Sequence, residues 1–563
     1  MIRLLYKLSS RAYLTLAVLA ATVPFLNLRM LRMAGDEKVY VSQAIEMARD
    51  GRWFAQTLAG EPSYFKGPLH YVLVRIGMMI FGDKLIAGLW MNALFAVVVA
   101  LALYRLGREY LREDRAVLLA LIGALNVGVF SHALASQMEV ELCAFYALAA
   151  MTLGNKFEDE PGFKSDIWFW LAAGVAGWVK SPAHSVLIAA GAIVYWALNG
   201  TLLRRARSPG SWLAALAGIA VCVAGYLPAL LSDYANFRET FVMRENVMKA
   251  NNNRAWHYVV NPLLHFALPW TLVFFFGLAR AWKAPASARP LQLLGLSLAL
   301  PTIFFWASWT YKGQNYNLPA MSALFIFAVA SFDRDIPKIA FQIVGALGLA
   351  ALICAMVLVF HFLPLPDWWS WNWIFFSFAS ILIFASAFLF SVETRVLGLG
   401  AVFFLLGMGA FITPLGLREM RDARAFAGEH PDATLHYDDL DPSIWSEWGL
   451  LQLALHRPVF GVHKPLQLDE ALKPGHAIFL PGDASLERVK KAFEERNSAA
   501  TNATPGASSI SPAAPPYRVE KWSRWLTKGK SAEGQPMWKL AWQERDPAKL
   551  ERTFYIFWIP SER

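Results

Sequence analysis

The sequence predicts an all-α polytopic membrane domain of about thirteen transmembrane helices with surface helices beside them, followed by an exterior α/β domain. Three observations lead there. Apolar residues make up 56% of the 563-residue chain, and Trp and Phe are plentiful enough for interfacial belts. Long apolar stretches recur through residues 1–415, mostly of about 20 residues or fewer. From about Leu417 charged residues rise and short strand-like runs take over, so residues 416–563 read as a separate unit.

The apolar stretches fall at 13–28, 85–106, 116–134, 142–153, 167–179, 185–198, 212–231, 262–279, 291–306, 318–331, 339–363, 373–390 and 396–413. The first follows a basic start and resembles a signal peptide. Asn27-Leu28-Arg29-Met30 is a poor small-residue cleavage site, so 1–28 reads as an uncleaved span. In the exterior unit, 477–480 and 553–557 read as strands, and 443–455 and 485–495 as helices. The Ala/Ser/Pro-rich stretch 497–516 reads as a disordered loop, and Asn502-Ala503-Thr504 within it as loop composition. The aromatic-acidic stretch 436–441 reads as a surface turn.

Charge sets orientation. Arg3, Lys7 and Arg11 place the N-terminus in the cytoplasm. Arg105, Arg108, Arg112 and Arg115, then Arg204, Arg205 and Arg207, then Arg280, Lys283 and Arg289, then Arg334 and Lys338 mark later cytoplasmic connections. Everything after Pro414 is then exterior. The formal charge of +10 does not indicate nucleic acid, because basic residues are scattered between spans instead of forming a stripe. Cys143, Cys222 and Cys354 each lie in an apolar stretch, so the exterior unit holds no disulfide and no cysteine metal site. One loop breaks the charge rule. Residues 232–258 are exterior yet hold Arg238, Arg244, Lys249 and Arg254, and Lys66, Lys180 and Lys312 lie at exterior span ends. Cations gathered on that side point to an anionic ligand.

The first exterior loop carries the adjacent carboxylates Asp36 and Glu37, which hydrocarbon does not tolerate. Residues 40–54 place Tyr40, Ala44, Met47 and Ala48 on one helical face and Ser42, Glu46, Arg49 and Asp50 towards the other. That pattern predicts a helix lying on the membrane surface. Gly67-Pro68 then breaks the chain before a second apolar piece, 71–81.

Asp36-Glu37, then Gly51-Arg52-Trp53, then Phe65-Lys66-Gly67-Pro68-Leu69 resembles the GT-C glycosyltransferases that use polyprenyl-phosphate sugars. Among these it resembles the lipid A aminoarabinose transferases of the ArnT type and the related protein O-mannosyltransferases. Lys180-Ser181-Pro182, Leu268-Pro269-Trp270, and Tyr311-Lys312 through Tyr316-Asn317-Leu318-Pro319 extend the resemblance, which covers about residues 10–415. Thirteen spans followed by an exterior α/β domain is also the ArnT-type layout.

The resemblance implies residue roles. Asp36 matches the catalytic carboxylate that receives the attacking oxygen, with inversion at the anomeric carbon. Glu141 is the better match for a second acid, with Glu139 the alternative. Lys66, Lys180, Arg254 and Lys312 are phosphate partners, and Glu37, Tyr40, His257 and Tyr316 are substrate-binding candidates. Where the ArnT type reads Glu-Lys-Pro this chain reads Lys66-Gly67-Pro68, and its Lys-Gly-Pro is Lys-Ser-Pro here. The lost acid removes a metal ligand, so no tightly bound metal is expected, a divalent ion is left open and no cofactor is assigned. The implied donor is a sugar on undecaprenyl or another polyprenyl phosphate. The implied acceptor is lipid A or another envelope glycolipid, on the periplasmic face of a bacterial inner membrane. A protein O-mannosyltransferase is the enzyme alternative. A lipid-linked sugar transporter or flippase is a more distant one, since polar residues gather at one end of the spans and not at the midplane. A scaffold acting through the exterior unit is a further one.

Overall fold

The structure is a computed structural model that describes residues 37–155, 160–247, 255–309, 312–332, 421–440, 448–502, 517–525 and 551–561. The expected spans at 13–28, 339–363, 373–390 and 396–413 lie outside the described residues, as do Asp36 and Arg254.

The described residues between 37 and 330 are mainly helical: α1 (Glu37–Arg49), α2 (Leu69–Phe81), α3 (Leu85–Tyr110), α4 (Glu113–Ala124), α5 (Val127–Ala133), α6 (Glu139–Leu153), α7 (Phe163–Val179), α8 (Pro182–Leu198), α9 (Pro209–Ala224), α10 (His257–Phe266), α11 (Thr271–Arg280), α12 (Arg289–Ser308) and α13 (Leu318–Ala330), with shorter helical turns among them. Among the described residues, two helices are long and apolar enough by length and composition to cross a membrane, or four if each of two bent pairs is one span. Helices α2, α8, α9 and α13 are shorter and apolar.

Two expected single spans are broken. The stretch 116–134 bends by 49° between α4 and α5, and 262–279 by 105° between α10 and α11. The bends hold each other. Val127 N donates to Leu268 O at 2.9 Å, and the Trp270 indole donates to Leu125 O at 2.7 Å. Asn126 caps α5 by accepting from Val129 N at 2.9 Å. The backbone groups freed by each break thus find partners inside the protein. The stretch 212–231 is also interrupted, between α9 and the short helix Leu227–Ser232. Helices α7 and α9 pack tightly because Gly174 and Gly218 meet. A Cβ on Gly174 would lie 2.4 Å from Gly218 O.

Helix α1 corrects an expectation. It ends at Arg49, not near 54, and it is not a surface helix with one wet face. Tyr40, Ala44 and Met47 enter the core of the helical bundle, while Val41 and Ile45 enter a second core with Phe426, Leu435, Tyr437 and Trp448. Each fully buried aliphatic side chain contributes about 1.5–3 kcal/mol. Ser42 and Arg49 on the outward side meet the C-terminal unit. Ser42 Oγ accepts from Gly449 N at 3.3 Å, and Arg49 donates to Gln452 Oε1 at 2.5 Å and to Val459 O at 2.7 Å. Glu46 holds the turn of a small hairpin, β1 (Thr57–Leu58) and β2 (Glu61–Pro62), by accepting from Ala59 N at 2.8 Å.

The C-terminal residues form a mixed five-stranded sheet. Its strands are β3 (Thr434–Asp438), β4 (Val459–Val462), β5 (His476–Leu480), β6 (Arg518–Trp525) and β7 (Glu551–Ile559), in the order β4-β3-β5-β7-β6. β3 runs parallel to β4 and β5, and β7 runs antiparallel to β5 and β6. The expected turn at 436–441 is partly strand. His436, Tyr437 and Asp438 are buried in β3 because that strand has a neighbour on each side and is covered on both faces. The helix Asp483–Asn502 takes in 497–502, where a loop was expected. Residues 503–516 lie outside the described residues.

Candidate active site

The site forms where the first turns of α1, α2 and α6 meet the α7–α8 junction and the loop before α13. Gly67 sets the approach. Its N–H donates to Lys180 O at 3.0 Å, and a Cβ there would lie 2.1 Å from Trp178 O. Only glycine lets the two lysine-bearing loops come this close.

One polar chain runs through the bundle. Glu37 Oε1 accepts from Ser136 N at 2.6 Å. Ser136 Oγ lies 3.1 Å from His70 Nε2, and His70 Nδ1 lies 2.5 Å from Glu141 Oε1. The Glu141 carboxylate accepts from Nδ1, which leaves Nε2 to accept the Ser136 hydroxyl proton. All four residues are buried. The Tyr40 ring stands edge-on to His70, with centroids 5.6 Å apart.

A second group is ionic. Lys180 Nζ lies 2.5 Å from Glu139 Oε1, which also accepts from the Asn315 amide. The Lys180 ammonium sits 5.5 Å from the Tyr316 ring centroid. Lys66 Nζ lies 2.5 Å from Glu245 Oε2 and 4.1 Å from the Phe65 ring. Lys312 is buried. Tyr64 ties this loop to the next by donating to Asp233 Oδ2 at 3.2 Å. Burial and then Asp233 push its phenol up to about 12, so it keeps its proton at neutral pH.

The structure thus brings Glu37, Tyr40, Lys66, Lys180, Tyr316 and both α6 glutamates to one end of the bundle. The two glutamates differ. Glu139, the alternative acid, touches Lys180, whereas Glu141 faces His70. His257 stands apart, exposed at the start of α10 with its ring against Trp256. Arg254 and Asp36 lie outside the described residues, Asp36 one residue before Glu37. Among the described residues no three His, Cys, Asp or Glu side chains gather as a metal site. Sequence reasoning missed His70, Ser136, Asn315 and Glu245. None of the four carried a local signal, and His70 reads as a lone histidine at the head of an apolar run.

Carboxylates beside ammonium groups can take a proton from an attacking hydroxyl and hold a departing phosphate. Known proteins resemble this chain in sequence and fold. Residues 65–227 match the family described as dolichyl-phosphate-mannose-protein mannosyltransferase. The ArnT crystal structure from Cupriavidus metallidurans bound to undecaprenyl phosphate superposes with a TM-score of 0.66, covering 84% of this chain and 93% of that one at 17% identity. The fold resembles that of ArnT.

Among curated relatives, the undecaprenyl phosphate-alpha-4-amino-4-deoxy-L-arabinose arabinosyl transferase 2 of Pseudomonas fluorescens is 25% identical over 346 residues, 58% of this chain and 57% of that one. The corresponding transferase of Pseudomonas aeruginosa is 22% identical over 298 residues, 51% of this chain and 53% of that one. The chain matches just over half the length of these relatives.

Proposed function

We propose that this chain is an integral-membrane glycosyltransferase that moves a sugar from a polyprenyl phosphate, such as undecaprenyl phosphate, to lipid A or another envelope glycolipid. Transfer takes place at the periplasmic face, with the N-terminus cytoplasmic and about thirteen spans in the membrane domain. The observation that carries this reading is the pairing of Lys66 and Lys180 with carboxylates at one end of an ArnT-like bundle. Asp36 receives the proton of the attacking oxygen, and its neighbour Glu37 fixes the loop by its bond to Ser136 N. The sugar leaves a phosphate diester, which becomes a monoester. Lys66, Lys180, Lys312 and Arg254 hold the charge that develops there. Glu139 and Glu245 neutralise two of these lysines until the phosphate arrives. Glu141 and His70 brace the floor.

A second reading has one observation behind it, the match of residues 65–227 to protein mannosyltransferases. In that reading a Ser or Thr side chain is the acceptor. Incubating membranes with a radiolabelled polyprenyl-phosphate sugar and separating lipid from protein decides between them. Label in the glycolipid fraction is expected, and it disappears with Asp36→Asn. Label in protein supports the second reading, and label in neither rejects both.

A further inference from the structure

Below the charged layer lies a second tier that the transfer chemistry does not use. His184 sits in the first turn of α8, four residues after Lys180, and Trp306 in the last turn of α12. Their ring centroids are 5.7 Å apart. Trp306 also meets the Tyr316 ring at 4.5 Å, the same ring that lies beneath Lys180. Both residues are deeply buried, at 2% and 8% exposure. Among the described residues, neither His184 Nδ1 nor Trp306 Nε1 has a hydrogen-bond partner. The neighbouring polar pair differs, since Tyr146 and Thr302 bond to each other at 3.0 Å. A buried donor left unpaired lowers stability, and native folds rarely keep one without a use. Here two such groups adjoin each other, directly beneath an ammonium that the transfer reading assigns to phosphate.

We propose that His184 and Trp306 bind the sugar of the lipid-linked donor, and that they select a neutral, hydroxyl-bearing ring over an amino sugar. This rests on the transfer reading above and names the substrate class within it. The indole N–H only donates, so its partner is an oxygen acceptor and not an ammonium. The charges acting on His184 are Lys180, Glu139 and Lys66, and Glu139 is already engaged by Lys180 and Asn315. An ammonium on the sugar would enter beside Lys180 and Lys66, with Glu139 the single carboxylate among the charges acting on His184.

The test is thermal melting of the purified full-length chain, alone and with three probes: undecaprenyl phosphate, undecaprenyl-phosphate-linked hexose, and undecaprenyl-phosphate-linked 4-amino-4-deoxyarabinose. The bare lipid phosphate is expected to raise the midpoint equally in the wild type, Trp306→Phe and His184→Phe. The hexose donor is expected to add a further rise in the wild type that both variants lose, and the amino sugar to add none. Without ligand, Trp306→Phe is expected to melt no lower than the wild type, because it removes an unpaired donor. A purely structural role for these residues would lower that midpoint and leave the hexose increment in place, which would overturn the proposal. So would an increment from the amino sugar equal to or larger than that from hexose, or a bare-lipid shift with no hexose increment. No shift from the bare lipid phosphate in the wild type would overturn the transfer reading, and this proposal with it.

Discussion

In the sheet unit, Arg457 donates to the carbonyls of Ala427, His430 and Ala433 at 2.7, 3.0 and 2.6 Å. Arg496 likewise takes Asp469 O and Leu472 O, each at 2.8 Å. At the bundle's end, Lys66 and Lys180 meet carboxylates, Glu245 and Glu139. The difference separates two uses of positive charge. An arginine forked onto carbonyls is a strut, because no incoming anion can replace those acceptors without opening the backbone. A lysine on a carboxylate already holds an anion, and a phosphate can take that place.

Four variants or conditions press on this contrast, in falling order of effect. Lys180→Met leaves Glu139 buried without its cation, which costs about 3–5 kcal/mol of stability. Calorimetry is expected to record that loss, and a membrane assay to record no transfer. Retained transfer would put Lys180 among the struts. Acid comes next, and it acts on the sheet unit. Burial, and then the facing His476, hold the His436 imidazole down at about 4, against an ordinary value of 6.5. The unfolded chain therefore binds the proton more readily across that window. Stability from this residue is complete above pH 6.5 and drains as pH falls towards 4, by roughly 3 kcal/mol. Melting from pH 7 down to pH 4.5 is expected to fall, and the fall to be blunted in His436→Gln.

Arg457→Ala removes three bonds to carbonyls and is expected to cost about 2 kcal/mol in denaturant melts while leaving polyprenyl-phosphate affinity unchanged. A loss of affinity would erase the distinction drawn above. The smallest effect is expected from Glu245→Gln. It takes the competing anion from Lys66 and should tighten polyprenyl-phosphate binding by about threefold to tenfold in a titration. Weaker binding would mean that Glu245 orders the lysine instead of competing for it.

Legibility in the sequence followed the range of each interaction. Apolar stretches such as 85–106 and 291–306 announced α3 and α12 by composition alone. Lys66 and Lys180 stood out because they broke the charge asymmetry of the loops, a local signal. The double burial of α1 was hidden, since Ser42 meets Gly449 from more than 400 positions away and a polar residue reads as wet until its partner is known. Glu139 and Asn315 are separated by 176 positions, and an asparagine in a loop carries no mark of the acid it will meet. The bend at 268–269 had a proline to betray it, yet hydropathy averages across such a break. The His70–Glu141 contact had no pattern, because a lone histidine in an apolar run looks the same whether it packs or bonds.

The most direct measurement is a cryo-electron microscopy structure of the full chain with undecaprenyl phosphate bound. Its phosphate oxygens are expected about 3 Å from the amines of Lys66 and Lys180, with Asp36 alongside and both lysines drawn off their carboxylates. A phosphate bound elsewhere, with Lys180 still on Glu139 and Lys66 still on Glu245, would contradict the exchange of carboxylate for phosphate.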